Sequence, residues 1–225
     1  MDPINLRASA YQVERKTSYD KFLRERTWIV NITNIRIFPT DGTAARKAAV
    51  GIVVDNAIAF HGLGIVENGN GELFVSLPAQ KNEETGRYED VYFHTISAEA
   101  RAELSKQILA AWEKVKENPD QTSFDMGDPS AEMKLTSIRI RKGKDDLPDM
   151  ASAILDDVFV LRRIRIRQDR ETGEYRVFMP GRKTRDGTYR DVYHPISAEA
   201  RKALSDVILA AYKVYKDKET SAAAE

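Results

Sequence analysis

The segment Ile-Ser-Ala-Glu-Ala-Arg occurs twice in this chain of 225 residues, at 96–101 and again, unchanged, at 196–201. A repeat of about 100 residues has the size of a domain and is too long for one unit of a solenoid. The sequence therefore predicts two copies of one fold in a single polypeptide. Differences between the copies then separate what the fold requires from what one copy has acquired.

The similarity extends well beyond this hexapeptide. Residues 32–37 match 135–140, and residues 50–66 match 151–167. The offset between the copies falls along the chain because small insertions lie in loops, and Phe93 or a neighbour is an extra residue of the first copy that a β-bulge could absorb. We divide the chain into an N-terminal extension (1–26), repeat 1 (27–117), an acidic linker rich in turn-forming residues (118–132) and repeat 2 (133–225).

Composition excludes several classes of protein. The chain has no cysteine, which excludes disulfides, cysteine-based zinc sites and thiol catalysis. It has no apolar run long enough to span a membrane and no secretory leader pattern, so we expect a cytoplasmic protein without a membrane partner. The formal net charge is zero, yet repeat 2 holds 20 Lys and Arg against 15 Asp and Glu, whereas repeat 1 holds 9 against 12.

Each repeat is predicted to be an antiparallel β-sheet followed by one helix, which makes the protein α+β. Short acidic and amide residues at 55–56 and 156–157 favour turns between the second and third strands. The predicted strands of repeat 1 are 27–38, 50–54, 57–66, 73–77 and 88–93. Those of repeat 2 are 133–141, 151–155, 158–167, 175–179 and 189–194.

The helices are the strongest local prediction. Ser97 and Ser197 have the position of N-caps, where a serine oxygen accepts an N–H group of the first turn. Apolar residues then recur with a 4-3-4 spacing, which gives each helix one stripe that can pack on a sheet. A further charged helix is predicted at 11–26.

The order of motifs in repeat 2 resembles the stage V sporulation protein G (SpoVG) family of bacterial septation regulators. The resemblance rests on the segments 151–160, 173–180 and Asp-Gly-Thr-Tyr-Arg-Asp-Val-Tyr-His-Pro-Ile at 186–196. It covers 133–216 closely and 29–116 more loosely. It implies a non-enzymatic regulator of septation or sporulation that binds DNA or RNA and uses no cofactor. Family members usually hold one copy and form homodimers, so two fused copies imply an intrachain pseudo-dimer and leave open whether the chain forms a homo-oligomer.

Repeat 2 has a concentrated basic set. Arginines that alternate with Ile164 and Ile166 are predicted to share one strand face, because strand side chains point alternately to opposite sides. Guanidinium groups match phosphates and guanine edges, which predicts nucleic-acid binding; the alternative is an ordinary solvated sheet face. The candidate nucleic-acid-binding residues are Arg162, Arg163, Arg165, Arg167, Arg182, Lys183, Arg185, Arg190, Arg201 and Lys202.

Repeat 1 lacks most of this set. The positions that match Arg162, Arg163, Arg165 and Arg167 are His61, Gly62, Gly64 and Val66. We expect a division of labour in which repeat 2 contacts the polyanion and repeat 1 acts as a built-in partner. Neutral drift on an exposed face is the alternative.

Evidence for other chemistry is weak. His94 and His194 lie near Asp90 and Asp191 in sequence, as in a general base with its orienting carboxylate, but no nucleophile accompanies them and a structural role is favoured. We assign no catalytic residue and no metal ligand. The alternative function is a protein–protein adaptor in septation or development, in which the arginines contact acidic protein surfaces.

Overall fold

The computed structural model describes residues 30–41, 44–144, 147–184 and 187–222. The N-terminal extension, including the helix predicted at 11–26, lies outside the described residues, as does Arg185.

Repeat 1 forms strands β1 to β7 followed by helix α1, as its alternating pattern and its serine cap predict. Their bounds are β1 Ile32–Pro39, β2 Arg46–Val54, β3 Ile58–Glu67, β4 Leu73–Ser76, β5 Gln80–Lys81, β6 Tyr88–Glu89, β7 Phe93–Thr95 and α1 Ala98–Glu117. The linker contributes one more strand, β8 Ser123–Asp125, which pairs with β1. The breaker composition of the linker therefore does not prevent a strand, because Phe124 between two polar residues matches the alternation of an edge.

Repeat 2 forms the same series of elements. They are β9 Leu135–Arg141, β10 Asp149–Leu155, β11 Phe159–Gln168, β12 Tyr175–Phe178, β13 Gly181–Lys183, β14 Tyr189–Asp191, β15 Tyr193–Pro195 and α2 Ala198–Ala222. Sheet 1 has the order β8-β1-β2-β3-β15, and β4 also pairs with β3. Sheet 2 has the order β9-β10-β11-β12, and β7 also pairs with β11. The hairpins β5–β6 and β13–β14 stand apart from both sheets.

The two repeats exchange their last strands. Strand β15 of repeat 2 pairs with the first half of β3, where Tyr193 is opposite Phe60. Strand β7 of repeat 1 pairs in the same way with β11, where Phe93 is opposite Leu161. Each sheet is thus completed by backbone hydrogen bonds that its own repeat does not supply. The predicted α+β fold and the intrachain pseudo-dimer are confirmed.

Aromatic side chains fill the junction between the repeats. Phe60, Phe93, Phe159 and Tyr193 are each fully buried. The ring centroids of Phe60 and Phe93 are 4.7 Å apart, and those of Phe60 and Phe159 are 5.0 Å apart. These distances suit favourable aromatic pairs, so one continuous core joins the two sheets and both helices.

The last strand of each repeat differs from its prediction. The predicted strands 88–93 and 189–194 are each two short strands, because the first part closes a hairpin and the second crosses to the other repeat. The extra residue of repeat 1 also lies earlier than Phe93. Tyr92 O accepts Arg162 N just as Val192 O accepts His61 N, which makes Phe93 the equivalent of Tyr193.

Both predicted helix caps are present. The backbone N–H groups of Ala100 and Ala200 donate to Ser97 Oγ and Ser197 Oγ at 3.1 and 3.0 Å. The apolar stripe of each helix faces its sheet, with Leu104, Ile108, Leu204 and Ile208 fully buried. In the described part of the chain, neither helix has the length and apolar character needed to cross a membrane.

Candidate nucleic-acid interface

Strand β11 separates its isoleucines from its arginines. Ile164 and Ile166 are buried in the core, while Arg163 and Arg167 are exposed and Arg165 is half-buried. The three arginines therefore lie on the outer face of sheet 2, as the alternation predicted, about 6.6 Å apart along the strand.

A β-bulge sets the position of the first two arginines. Ala151 pairs with Ile164 and Ala153 with Leu161, so Arg162 and Arg163 together lie opposite the one residue between. Arg163 has φ 59°, in the left-handed region that favours glycine. Its guanidinium carbon lies 5.2 Å from the centre of the Tyr92 ring, a cation–π contact supplied by repeat 1.

Strand β9 adds two arginines that sequence reasoning missed. Arg141 and Arg165 are both in register with Met150, which lies between them on β10. Arg139 is in register with Ser152, opposite the bulge. The signal was present in the sequence, because both arginines alternate with isoleucines in β9.

On the side of β11 that faces β12, the outer face of sheet 2 ends in an aromatic residue and a further arginine. Phe178 on β12 is in register with Arg165 and keeps 43% of its surface exposed. The Arg165 Nη2 atom donates to Met179 O at 3.3 Å, which aims this side chain along the sheet. Arg176 is in register with Arg167 and bonds Asp169 at 3.2 Å.

We call this surface the arginine face. It consists of Arg139, Arg141, Arg162, Arg163, Arg165, Arg167 and Arg176. Among the described residues, no carboxylate forms an ion pair with Arg139, Arg141, Arg163 or Arg167. The face therefore offers several guanidinium groups with their hydrogen-bond donors available.

The second predicted basic cluster lies elsewhere. Arg182, Lys183 and Arg190 belong to the β13–β14 hairpin, which crosses to repeat 1 together with β15. The Arg182 Nη2 atom lies 3.3 Å from the place where a Cβ on Gly62 would stand. The strand exchange thus carries these residues to sheet 1, away from the arginine face.

Arg201 and Lys202 also lie apart from the arginine face. They occupy the first turn of α2, a helix that buries Leu204 on the inner side of sheet 2. The Lys202 Nζ atom pairs with Asp206 on the same helix. The ten predicted residues therefore do not form one site.

The outer face of sheet 1 carries more positive charge than the sequence of repeat 1 predicted. The outer face of sheet 1 around Gly62 and Gly64 is covered by two long side chains. Arg46 Nε and Cζ lie 3.0 Å from where a Cβ on Gly64 would stand, and Arg182 covers Gly62. Burial, followed by the charge of Arg182, lowers the pKa of Arg46. Small residues at the equivalent positions make room for arginines from other strands.

The histidines take part in packing at the crossings. The Nε2 atoms of His61 and His194 are 3.2 Å apart, and their rings stack across β3 and β15. Burial, followed by the nearby His194, lowers the pKa of His61. Asp90, a suggested partner of His94, instead pairs with Arg101 at 3.6 Å. These contacts fit the structural role rather than a general base.

Comparison with known proteins places this geometry in a family. The sequence model of the family described as SpoVG matches two segments, 30–114 and 133–214. The chain belongs to the SpoVG family. Each matched segment holds the strands of one repeat, including the exchanged last strand, and most of its helix.

Relatives of the SpoVG family resemble one repeat at a time. A candidate septation protein SpoVG of Phytoplasma australiense is 42% identical over 85 residues, which cover 36% of this chain and 84% of the relative. That of Acholeplasma laidlawii is 38% identical over 95 residues, covering 41% of this chain and 99% of the relative. That of Clostridium perfringens is 34% identical over 87 residues, covering 39% and 93%. This chain therefore holds two SpoVG units where these relatives hold one.

Proposed function

We propose that this tandem SpoVG protein is a non-enzymatic regulator that binds DNA or RNA through the arginine face of repeat 2. The observation that carries the proposal is the row of in-register side chains Arg141, Met150, Arg165 and Phe178 across sheet 2. The relatives are bacterial proteins named for septation, and we propose that this chain acts in the same process in the cytoplasm.

The chemistry of the row suits a flexible polyanion. Guanidinium groups donate paired hydrogen bonds to phosphate oxygens, and their spacing along β11 lets neighbouring side chains engage successive phosphates. The exposed ring of Phe178 offers a stacking surface for an unpaired base beside Arg165. Arginines beside an exposed aromatic ring favour the binding of single-stranded nucleic acid. This combination also favours a binding surface over the alternative of an ordinary solvated sheet face.

The contact between Arg163 and Tyr92 gives repeat 1 a supporting role. Tyr92 belongs to repeat 1 but lies under Arg163 of β11, and Gln80 Nε2 donates to its hydroxyl at 3.3 Å. We propose that repeat 1 replaces the second subunit of a homodimer by holding this end of the arginine face. Fusion makes that association intramolecular, so it does not depend on protein concentration.

The test is an electrophoretic mobility shift of the intact chain with random duplex and single-stranded pools of DNA and RNA. We expect retention of single-stranded pools, with affinity that falls steeply as salt rises. Bulk heparin should compete if the arginines contact phosphates. Absence of a shift in every pool at low salt would contradict the proposal and favour the adaptor alternative.

A further inference from the structure

We propose that repeat 2 binds an extended acidic segment of a partner protein along the open edge of β9, in the groove between β9 and α2. The site borders the arginine face, with which it shares Arg139 and Arg141, but the proposal does not depend on nucleic-acid binding and rests on a comparison between the two repeats. Repeat 1 has the same groove, and there it is filled by the linker strand β8.

The filled groove of repeat 1 shows what the site accepts. Strand β8 pairs antiparallel with β1, with Phe124 opposite Ile35 and Asp125 opposite Asn34. Phe124 is 7% exposed, and Lys114 Nζ of α1 lies 5.8 Å from the centre of its ring. Backbone bonds from Ile37 N to Thr122 O and from Met126 N to Thr33 O fix the strand at both ends. An aromatic anchor on an added strand is thus part of this fold.

The equivalent edge of repeat 2 lacks such a strand in the described part of the chain. Strand β9 pairs with β10 alone and ends the order of sheet 2. Ile138 and Ile140 are half-buried, whereas their equivalents Ile35 and Ile37 are fully buried. The backbone groups equivalent to those that bind β8 are Ile140 N and Thr136 O. An uncovered edge with apolar side chains is a template for β-strand addition.

Helix α2 has an apolar stripe beside this edge. Val207 and Val214 are 45% and 55% exposed, and Ala210 lies between them. The equivalent residues of α1 are Gln107 and Lys114. Gln107 Nε2 donates to Val30 O, and Lys114 Nζ lies over the ring of Phe124 in β8. The chain also turns back after Glu117 to form β8, whereas α2 continues to Ala222. Repeat 2 therefore keeps the groove and makes it more apolar, without an internal segment to fill it among the described residues.

The positive charges beside the open edge of β9 favour an acidic guest strand. In the register of β8, the residue opposite Arg36 is Ser123, so the corresponding residue of a guest strand lies opposite Arg139. The residue two positions earlier lies opposite Arg141. Acidic residues at both positions, with a large apolar residue opposite Ile138, complement this edge. A second copy of β9 would instead bring like charges together, and the N-terminal extension carries more basic than acidic residues. These facts favour an acidic partner.

The test uses a fluorescent peptide with the sequence of residues 120–127 that carries Gln121→Glu and Ser123→Glu. We expect saturable binding to the full chain by fluorescence anisotropy. Phe124→Ala in the peptide should weaken binding about tenfold or more, because the anchor is removed. Ser123→Lys in place of Ser123→Glu should also weaken it, since the lysine meets Arg139.

A matched pair of variants locates the site. Ala210→Glu places a charge in the open groove and should weaken peptide binding at least about tenfold. Ala110→Glu makes the same change at the equivalent position of α1, beside the filled groove, and should change binding by less than about twofold. Circular dichroism checks that both variants remain folded. Equal losses would mean that the peptide displaces β8, and absence of saturable binding would overturn the proposal.

Two further outcomes would assign the groove to another occupant. Sedimentation that shows a dimer of the full chain, dissociated by Ala210→Glu, would make a second copy the occupant. Peptide binding that appears only after deletion of residues 1–29 would make this chain's own N-terminal segment the occupant. Either result overturns the acidic partner. None of these measurements depends on nucleic-acid binding, so the two proposals fail separately.

Discussion

Asp55 and Asp156 occupy the same turn in the two repeats, and their carboxyl groups interact across the junction, where the Oδ2 atom of each is buried without a hydrogen-bond partner among the described residues. Both have φ near 50°, so the two turns have the same left-handed backbone. Asp55 Oδ1 accepts Asn31 Nδ2, and Asp156 Oδ1 accepts Lys134 N, both at 2.9 Å. Two carboxyl groups can share this contact only when one of them holds a proton. Burial, followed by the interaction with Asp55, raises the pKa of Asp156 to about 8.

This pair predicts a decrease in stability as pH rises from about 4 to 8. In that window the folded protein keeps a proton on Asp156 that the unfolded chain releases, so unfolding becomes easier. The free energy of unfolding should fall across the window by less than the roughly 5 kcal/mol that a shift of four pH units allows, because Asp156 is partly exposed to solvent, with little further change from this pair above the window. Asp156→Asn should remove the decrease and raise the stability at pH 8, because an amide can donate to Asp55 and tolerates positive φ.

Urea denaturation at a series of pH values measures this effect. Asp157→Asn is the matched control, since Asp157 has φ 55° and its equivalent in repeat 1 is already Asn56. We expect the control to keep the pH dependence of the parent chain. The same decrease in Asp156→Asn as in the parent would show that the two carboxyl groups do not share a proton.

The arginine face predicts the effect of charge reversal on binding. Arg163→Glu, Arg165→Glu and Arg167→Glu together should abolish binding to single-stranded nucleic acid without unfolding the chain, because Ile164 and Ile166 still supply the core. A single reversal should lower the slope of log K against log salt by about 0.7 for each phosphate that the protein no longer neutralises. Fluorescence anisotropy at several salt concentrations measures both quantities.

A matched pair tests the division of labour between the repeats. Arg139 and Arg36 are equivalent exposed arginines on the outer faces of β9 and β1. Arg139→Glu should weaken binding, whereas Arg36→Glu should leave it nearly unchanged. Gly64→Glu is a poor control, since a Cβ there would stand 3.0 Å from Arg46 and Ser76. Equal losses at Arg139 and Arg36 would contradict the assignment to repeat 2.

Arg163→Gly should raise stability while it lowers binding. A non-glycine residue in the left-handed region costs about 1–2 kcal/mol, and the equivalent residue of repeat 1 is glycine with φ 83°. Removal of the cation–π interaction with Tyr92 offsets part of this gain, about 0.5–1 kcal/mol. We therefore expect a higher thermal midpoint together with a weaker complex. A lower midpoint would mean that the interaction with Tyr92 outweighs the backbone strain.

The serine caps predict equal effects in the two repeats. Ser197→Ala should lower the free energy of unfolding by about 1 kcal/mol, because the N–H group of Ala200 loses its acceptor. Ser97→Ala removes the equivalent bond to Ala100 and should act similarly. Thermal unfolding of both variants checks this expectation. An unchanged midpoint in either variant would show that water replaces the serine oxygen at no cost.

The sequence by itself determined the features that depend on neighbouring residues. Alternation in β11 predicted which side chains enter the core, and the spacing after Ser97 and Ser197 predicted both helices and their caps. Internal repetition predicted two copies of one α+β fold. These inferences succeed because strand and helix periodicity are local properties of the backbone. The alternation that placed arginines on β11 also applied to Arg139 and Arg141, although the candidate set omitted them.

Only the tertiary structure decided which strands become neighbours. The exchange of β7 and β15 carries Arg182 to Gly62 of the other repeat and brings Tyr92 beneath Arg163. The tertiary structure also separates the predicted basic residues into three places, and within the described residues β9 lacks the strand that covers β1. Pairing of this kind joins residues far apart in the sequence, such as Phe93 with Leu161 and Tyr193 with Phe60, through backbone groups that every residue carries. The periodicity of side chains along one strand therefore does not predict which strands pair. The shared core around Phe60, Phe159 and Tyr193 selects the partner strands.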